Sequence, residues 1–264
     1  MSSVAHEPMR PRELVLVHGF LGGPQSWAAV RERLGRAARV TTPTLYGHGD
    51  EPSTDTTSFE AELARLLAAL GSTRGKILVG YSLGARIALG LAARSAEPFE
   101  RLVVISGRDG LADEDEARSR RELDDALADT LLAEGLPAFV DRWEALPLFA
   151  SQGALDVERR AAHRARRLAH RASGVASALR GLSLGRMPRV AADAFARTPR
   201  VDLVAGEKDE KFVALARALA QEHGARTNHL ACRPKLAVHV VPGAGHDVVL
   251  ERPDAIAALL EERA

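Results

Sequence analysis

Three residues far apart in the chain have the types that acyl transfer or proton abstraction requires: Ser82, Asp209 and His246. A serine hydroxyl is inert at neutral pH until a neighbour draws off its proton, and a histidine does this well only when a carboxylate fixes its tautomer. Ser82 lies in Gly80-Tyr81-Ser82-Leu83-Gly84, after the apolar run Lys76 to Val79 and before a helical stretch that continues to Arg94. Small residues two before and two after the serine suit a sharp strand-to-helix turn, where backbone crowds both positions. His246 stands in Gly243-Ala244-Gly245-His246, between the last apolar run and the last helical stretch. His163, His170 and His223 sit among charges in helical patterns and read as surface groups, His6 falls in the N-terminal tail, and His18 is expected behind the site as a brace. Asp209, in Gly206-Glu207-Lys208-Asp209, completes the order Ser, Asp, His; it also suits the cap of the next helix, and Glu207 is a rival carboxylate.

Negative charge developing on a substrate oxygen needs fixed donors. The backbone N–H groups of Phe20, in the turn His18-Gly19-Phe20-Leu21-Gly22-Gly23, and of Leu83, directly after Ser82, are the candidates for an oxyanion hole.

The elements that must position these groups show as short Val-, Leu- and Ile-rich runs alternating with amphipathic stretches, the pattern of a parallel α/β sheet. Strands are expected at Glu13 to Val17, Ala38 to Thr42, Lys76 to Val79, Arg101 to Ile105, Arg200 to Ala205 and Ala237 to Val241. Helices are expected at Pro24 to Leu34, Phe59 to Leu70, Leu83 to Arg94, Phe212 to Glu222 and Asp254 to Glu262. Between Ser106 and Thr198 the rhythm breaks into Ala-, Arg- and Leu-rich helical spacing. This divides the chain into a core of residues 13–106 and 198–264 and a helical cap of 107–197, placed to cover the crevice where such sheets bind ligands. Residues 225–235 read as a surface loop insertion.

Lys plus Arg total 36 against 35 Asp plus Glu, so no global field favours nucleic acid or an anionic membrane, and no apolar run approaches the length of a membrane span. One cysteine, Cys232, excludes an internal disulfide and a multi-cysteine metal site. A soluble cytoplasmic protein acting on a small molecule is expected; oligomeric state is not legible.

Together, Val17-His-Gly-Phe20-Leu-Gly, Gly47-His-Gly49, Gly80-Tyr-Ser82-Leu-Gly84-Ala-Arg86, Gly206-Glu-Lys-Asp209-Glu-Lys-Phe212 and Gly243-Ala-Gly-His246 resemble the α/β-hydrolase-fold 2-succinyl-6-hydroxy-2,4-cyclohexadiene-1-carboxylate synthases of menaquinone biosynthesis. The similarity runs from about residue 13 to the end. It implies a substrate with several carboxylates, for which guanidinium groups are suited. Arg86 matches the family arginine one turn beyond the serine, and Arg120 a second in the cap, with Arg121 as its near alternative. Trp143, followed by Pro147-x-Phe149, and Arg167 match further substrate-binding positions, as does Tyr81. The resemblance implies elimination: a base takes a ring proton, pyruvate leaves and a conjugated diene remains, with no metal or organic cofactor. Departures are Thr42-Pro-Thr-Leu-Tyr46, where the family has Asp-Leu-Pro before its Gly-His-Gly, the missing Asn before Gly174 and the extra loop at 225–235. The rival function is a carboxylic-ester or thioester hydrolase using Ser82 as nucleophile; a non-catalytic ligand receptor is a third, against which the intact triad argues.

Overall fold

In the computed structural model, which describes residues 12–35, 38–51, 57–226 and 235–262, the apolar runs become strands β1 (Arg12–Val17), β2 (Ala38–Thr41), β3 (Lys76–Tyr81), β4 (Arg101–Ile105), β5 (Arg200–Gly206) and β6 (Lys235–Val241). They form one parallel sheet in the order β2-β1-β3-β4-β5-β6. Alternate side chains of a strand leave on opposite faces. Leu14, Leu16, Ile77, Val79, Val103 and Ile105 pack on one face, and Val15, Val17, Leu78, Leu102 and Val104 on the other. Both faces are covered, which is why these strands read as continuous apolar runs.

The helices among the described residues are α1 (Ala28–Leu34), α2 (Phe59–Leu70), α3 (Leu83–Arg94), then α4 (Glu114–Glu134), α5 (Leu136–Glu144), α6 (Val157–Leu168), α7 (Ala172–Gly181) and α8 (Ala191–Arg197) between β4 and β5, and finally α9 (Glu210–Arg226), α10 (Val248–Glu251) and α11 (Pro253–Glu261). Helices α1 and α11 pack together on one face of the sheet; α2, α3 and α8 share the other. So α8, inside the stretch expected as cap, is part of the core layer.

Helices α4, α5 and α7 build a separate apolar cluster from Ala128, Leu131, Phe139, Val140, Val175 and Leu179, into which Leu21 reaches from the core. Asp113 and Asp156 accept the Glu116 and Arg159 N–H groups at 2.8 and 2.7 Å, capping α4 and α6. Gly135, at φ 86°, ends α4 where only glycine is unstrained. Helix α7 is seated on the core through main chain: a Cβ on Gly47 would lie 2.1 Å from the Gly174 carbonyl oxygen.

Three elements differ from expectation. Pro24–Trp27 is a separate 3₁₀ turn, Pro147–Ala154 is also 3₁₀ where no element was expected, and α9 runs on to Arg226. Of the loop expected at 225–235, residues 225 and 226 are helical and Lys235 opens β6; residues 227–234, with Cys232, and the tail carrying His6 lie outside the described residues. Among the described residues no helix is long and apolar enough to cross a membrane.

Candidate active site

Adjacent strands β1 and β3 send their helices to opposite faces of the sheet, which opens a crevice beyond their C-terminal ends. Ser82 sits at that point with φ 53° and ψ −109°, a conformation that non-glycine residues rarely adopt. A Cβ on Gly80 would fall 2.2 Å from the Gly84 carbonyl oxygen, and one on Gly84 2.2 Å from that of Val17. The turn is thus pressed against the end of β1. The Ser82 N–H donates to Ile105 O at 2.9 Å, tying it to β4 as well.

His246 Nδ1–H donates to Asp209 Oδ2 at 2.7 Å, which fixes the tautomer and leaves Nε2 to accept from Ser82 Oγ at 3.1 Å. Asp209 also caps α9, its Oδ1 accepting the Phe212 N–H at 3.4 Å, so both readings of this carboxylate hold. Glu207 does not reach the imidazole: its Oε2 accepts the Gly243 N–H at 2.9 Å. The Lys208 N–H donates to Ala244 O at 2.8 Å, binding the loops after β5 and β6 to each other. Ser106, at the end of β4 with φ 47°, donates its hydroxyl to His246 O at 2.8 Å. The Phe212 ring lies 4.6 Å from the imidazole and, with Phe149, shields it from water.

Phe20 and Leu83 both border the cavity beside Ser82. Leu83 opens α3, where the first N–H groups of a helix have no partner within it and carry the positive end of its dipole. The Phe20 loop is held by the Leu21 N–H, which donates to His48 Nε2 at 3.1 Å.

The histidines expected at the surface are not there. His223 is 2% exposed and packs on Phe195, His163 borders the site, and His170 accepts the Gly49 N–H at 2.9 Å, a link between cap and core. Helical patterning among charges hid His163 and His170 because the cap's inner face carries charge as well, while His223 turns the inner side of α9 toward Phe195. His18 is fully buried, as expected, and burial pulls it down to about 4.

The site has two lobes meeting at Ser82, Phe20, Trp143 and Phe149. The wide lobe, about 320 Å³, is bordered by Arg86, Arg120, Arg108 and Lys211. The narrow lobe, about 30 Å³, is bordered by Tyr81, Arg166, Arg167, His163 and Asp247. Every site residue expected from the sequence except Asp209, which stands behind His246, therefore borders one lobe or the other. Arg121 does not: it turns to Gly185 O at 2.8 Å and to Glu114.

Arg86 is partly buried, and among the described residues its guanidinium hydrogen-bonds no carboxylate, only Leu182 O at 3.5 Å and the Met187 sulfur at 3.2 Å. Burial, reinforced by neighbouring Arg120, pulls it down to about 9. Arg120 donates to Asp124 at 2.9 Å and Arg167 to Glu144 at 2.9 Å, the latter lying 5.3 Å over the Phe149 ring. Trp143 stands between Phe20 and Phe149, 5.0 and 5.9 Å away, as an apolar wall between the charged ends. In the narrow lobe, burial lowers His163 to about 3 and raises the Asp247 carboxyl. Sequence reasoning missed Ser106, Arg108, Phe149 and Phe212; the position of Ser106 at a strand's C-terminal end was the available signal.

The model of the alpha/beta hydrolase family matches residues 14–259. A Bacillus subtilis (strain 168) protein, provisionally named a 2-succinyl-6-hydroxy-2,4-cyclohexadiene-1-carboxylate synthase, is 33% identical over 98% of this chain and 93% of its own. The synthase of that name from Enterobacter sp. (strain 638) is 32% identical over 94% of this chain and 90% of its own. The chain belongs to this synthase family of alpha/beta hydrolases. MenH from S. aureus superposes with a TM-score of 0.85 at 32% identity, over 96% of this chain and 92% of that one. A thermophilic esterase from Thermogutta terrifontis, at TM-score 0.73 and 24% identity, shares the fold. The expected α/β-hydrolase fold is borne out, and membership in the synthase family makes the chain an enzyme of lyase type.

Proposed function

We propose that this chain eliminates pyruvate from 2-succinyl-5-enolpyruvyl-6-hydroxy-3-cyclohexene-1-carboxylate, leaving 2-succinyl-6-hydroxy-2,4-cyclohexadiene-1-carboxylate. The observation that carries this reading is Arg86: a partly buried guanidinium in the cavity beside Ser82 that forms no ion pair with a carboxylate among the described residues, a partner that the substrate supplies. An ester pocket for neutral substrates would gain nothing from it.

The chemistry follows from the geometry. His246 Nε2 draws the Ser82 proton, and Asp209 holds the resulting imidazolium. The Ser82 oxygen takes the proton from the ring carbon that bears the succinyl ketone. The electron pair forms the double bond to the next carbon, the existing double bond shifts one place, and the bond from carbon to the enolpyruvyl oxygen breaks. His246 returns its proton to the departing enolate, which becomes pyruvate, so protons balance. While the ring proton leaves, charge spreads onto the ketone oxygen, and the Phe20 and Leu83 N–H groups face it. A tricarboxylate does not cross a bilayer unaided, so we place the enzyme with its substrate in the cytoplasm.

Purified protein incubated with the enolpyruvyl precursor and a lactate dehydrogenase couple should release pyruvate as diene absorbance grows, and Ser82→Ala should do neither. Rapid cleavage of nitrophenyl esters without any pyruvate would instead establish a hydrolase.

A further inference from the structure

One arginine of the wide lobe is not among those expected from the sequence. Arg108 sits on the loop leaving β4, between two residues that are locked in place. A Cβ on Gly107 would lie 2.5 Å from Ala85 Cβ, so the loop rests directly on α3. The Asp109 carboxylate accepts the Val190 and Ala191 N–H groups at 2.7 and 3.1 Å and Arg189 Nε–H at 3.1 Å. Arg108 is therefore presented to the cavity from a fixed backbone, the arrangement that recognition of a charged group favours.

Its charge is poorly answered. The Glu116 carboxylate is 3.6 Å away, beyond hydrogen-bond distance, and more than half exposed. The Arg108 Nε–H is buried with no hydrogen-bond partner among the described residues. Arg86, Arg108 and Arg120 border the cavity against a single carboxylate, Asp124, which Arg120 already holds. Before Lys211 is counted the lobe is two negative charges short, and Arg108 is one of the groups that holds down the affinity of Arg86 for its proton.

We propose that Arg108 joins Arg86 and Arg120 as the third substrate-binding guanidinium of the wide lobe and that this lobe takes two carboxylates of one ligand, leaving the narrow lobe for the remaining carboxylate. The identity of that ligand rests on the synthase reading above. In the proposed substrate the ring carboxylate and the succinyl carboxylate are separated by five carbons, while the third belongs to the enolpyruvyl group across the ring. The leaving group then departs through the narrow lobe, beside Arg167.

The test uses pimelate, a diacid with the same five-carbon separation, against the monoacid heptanoate, titrated calorimetrically into the native enzyme, Arg108→Gln and Arg108→Lys. The native enzyme should bind pimelate about tenfold or more tighter than heptanoate, and Arg108→Gln should erase that preference while leaving heptanoate within about twofold. Arg108→Lys, which keeps the charge, should retain part of it. With the precursor, Arg108→Gln should raise KM about tenfold with kcat within about threefold. A native enzyme with no preference for the diacid, or an Arg108→Gln variant that weakens both acids equally, overturns the proposal. If pyruvate release is normal and the diacid preference is absent, only this assignment fails; if the preference is present without pyruvate release, only the synthase reading fails.

Discussion

His18 and His48 secure each other's loops. The Leu45 N–H donates to His18 Nε2 and the Leu21 N–H to His48 Nε2, both at 3.1 Å, while each Nδ1–H donates to a main-chain carbonyl, of Gly19 and Tyr46 respectively. The exchange spans the turns after β1 and β2 and fixes the loop that carries Phe20. It works only with neutral rings, since every accepting nitrogen is already engaged.

Acid should therefore unlock the core. Burial lowers His18 from its ordinary 6.5 to about 4, and burial, then His18, lowers His48 well below its usual value. Above pH 6.5 neither folded nor unfolded chain protonates these rings, and the stability is fully present. Below it the unfolded chain binds protons that the folded one refuses, so stability drains away as pH falls toward 4. His18 alone contributes about 3 kcal/mol across that window. Thermal melts should show Tm falling by about 5–10 °C between pH 7 and 4.5, less steeply in His18→Gln. A Tm flat across this range would show that the rings are not held neutral.

Asp209 has two duties that separate by substitution. Asparagine keeps the cap of α9 but presents the wrong partner to His246, so Asp209→Asn should lower kcat by about 10³- to 10⁴-fold with stability within about 1 kcal/mol. Asp209→Ala should lose a further ~1 kcal/mol of stability with the cap. Equal melting of the two variants would remove the capping role.

The arginines should divide by the direction they face. Arg86→Ala and Arg167→Ala should each lower kcat/KM for the precursor by about 30-fold or more, about 2 kcal/mol, because each leaves a desolvated carboxylate unanswered. Arg121→Ala, adjacent to Arg120 but turned toward Gly185, should change it less than about twofold. Steady-state kinetics on the three proteins checks this, and a large loss in Arg121→Ala would reverse the assignment made between the neighbours.

Much of this site was legible in the chain because its parts sit where strand meets loop. Ser82, Asp209 and His246 each follow an apolar run, and the spacing of Gly80 and Gly84 declares the turn between β3 and α3. The cap was harder to read. Its helices bury arginines and histidines on the side facing the site, so composition alone could not sort His163 or Arg108 from the solvated charges around them, nor choose between Arg120 and Arg121. Ser106 escaped notice because its task is to hold the His246 main chain, a contact between residues 140 positions apart.

The elbow should tolerate no methyl group at Gly84. With Val17 O 2.2 Å from the added Cβ, β1 and α3 would have to part, and Gly84→Ala should cost more than about 3 kcal/mol or fail to fold. Gly23→Ala, with open space around its Cβ and an extended backbone, should stay within about 1 kcal/mol. Denaturant unfolding of both variants makes the comparison; a Gly84→Ala protein as stable as Gly23→Ala would contradict the packing described.

The meeting of Gly47 and Gly174 has a consequence for ancestry as well as for architecture. Because α7 meets the core at Gly47 and Gly174 through main-chain atoms, that contact does not depend on which side chains line the cap's inner surface. Arginines there can be traded for apolar groups, or the reverse, while the helix keeps its seat above Ser82. Divergence within such a scaffold can proceed by repainting the ceiling and leaving the floor untouched, so that a change of substrate need not cost the cap this seat.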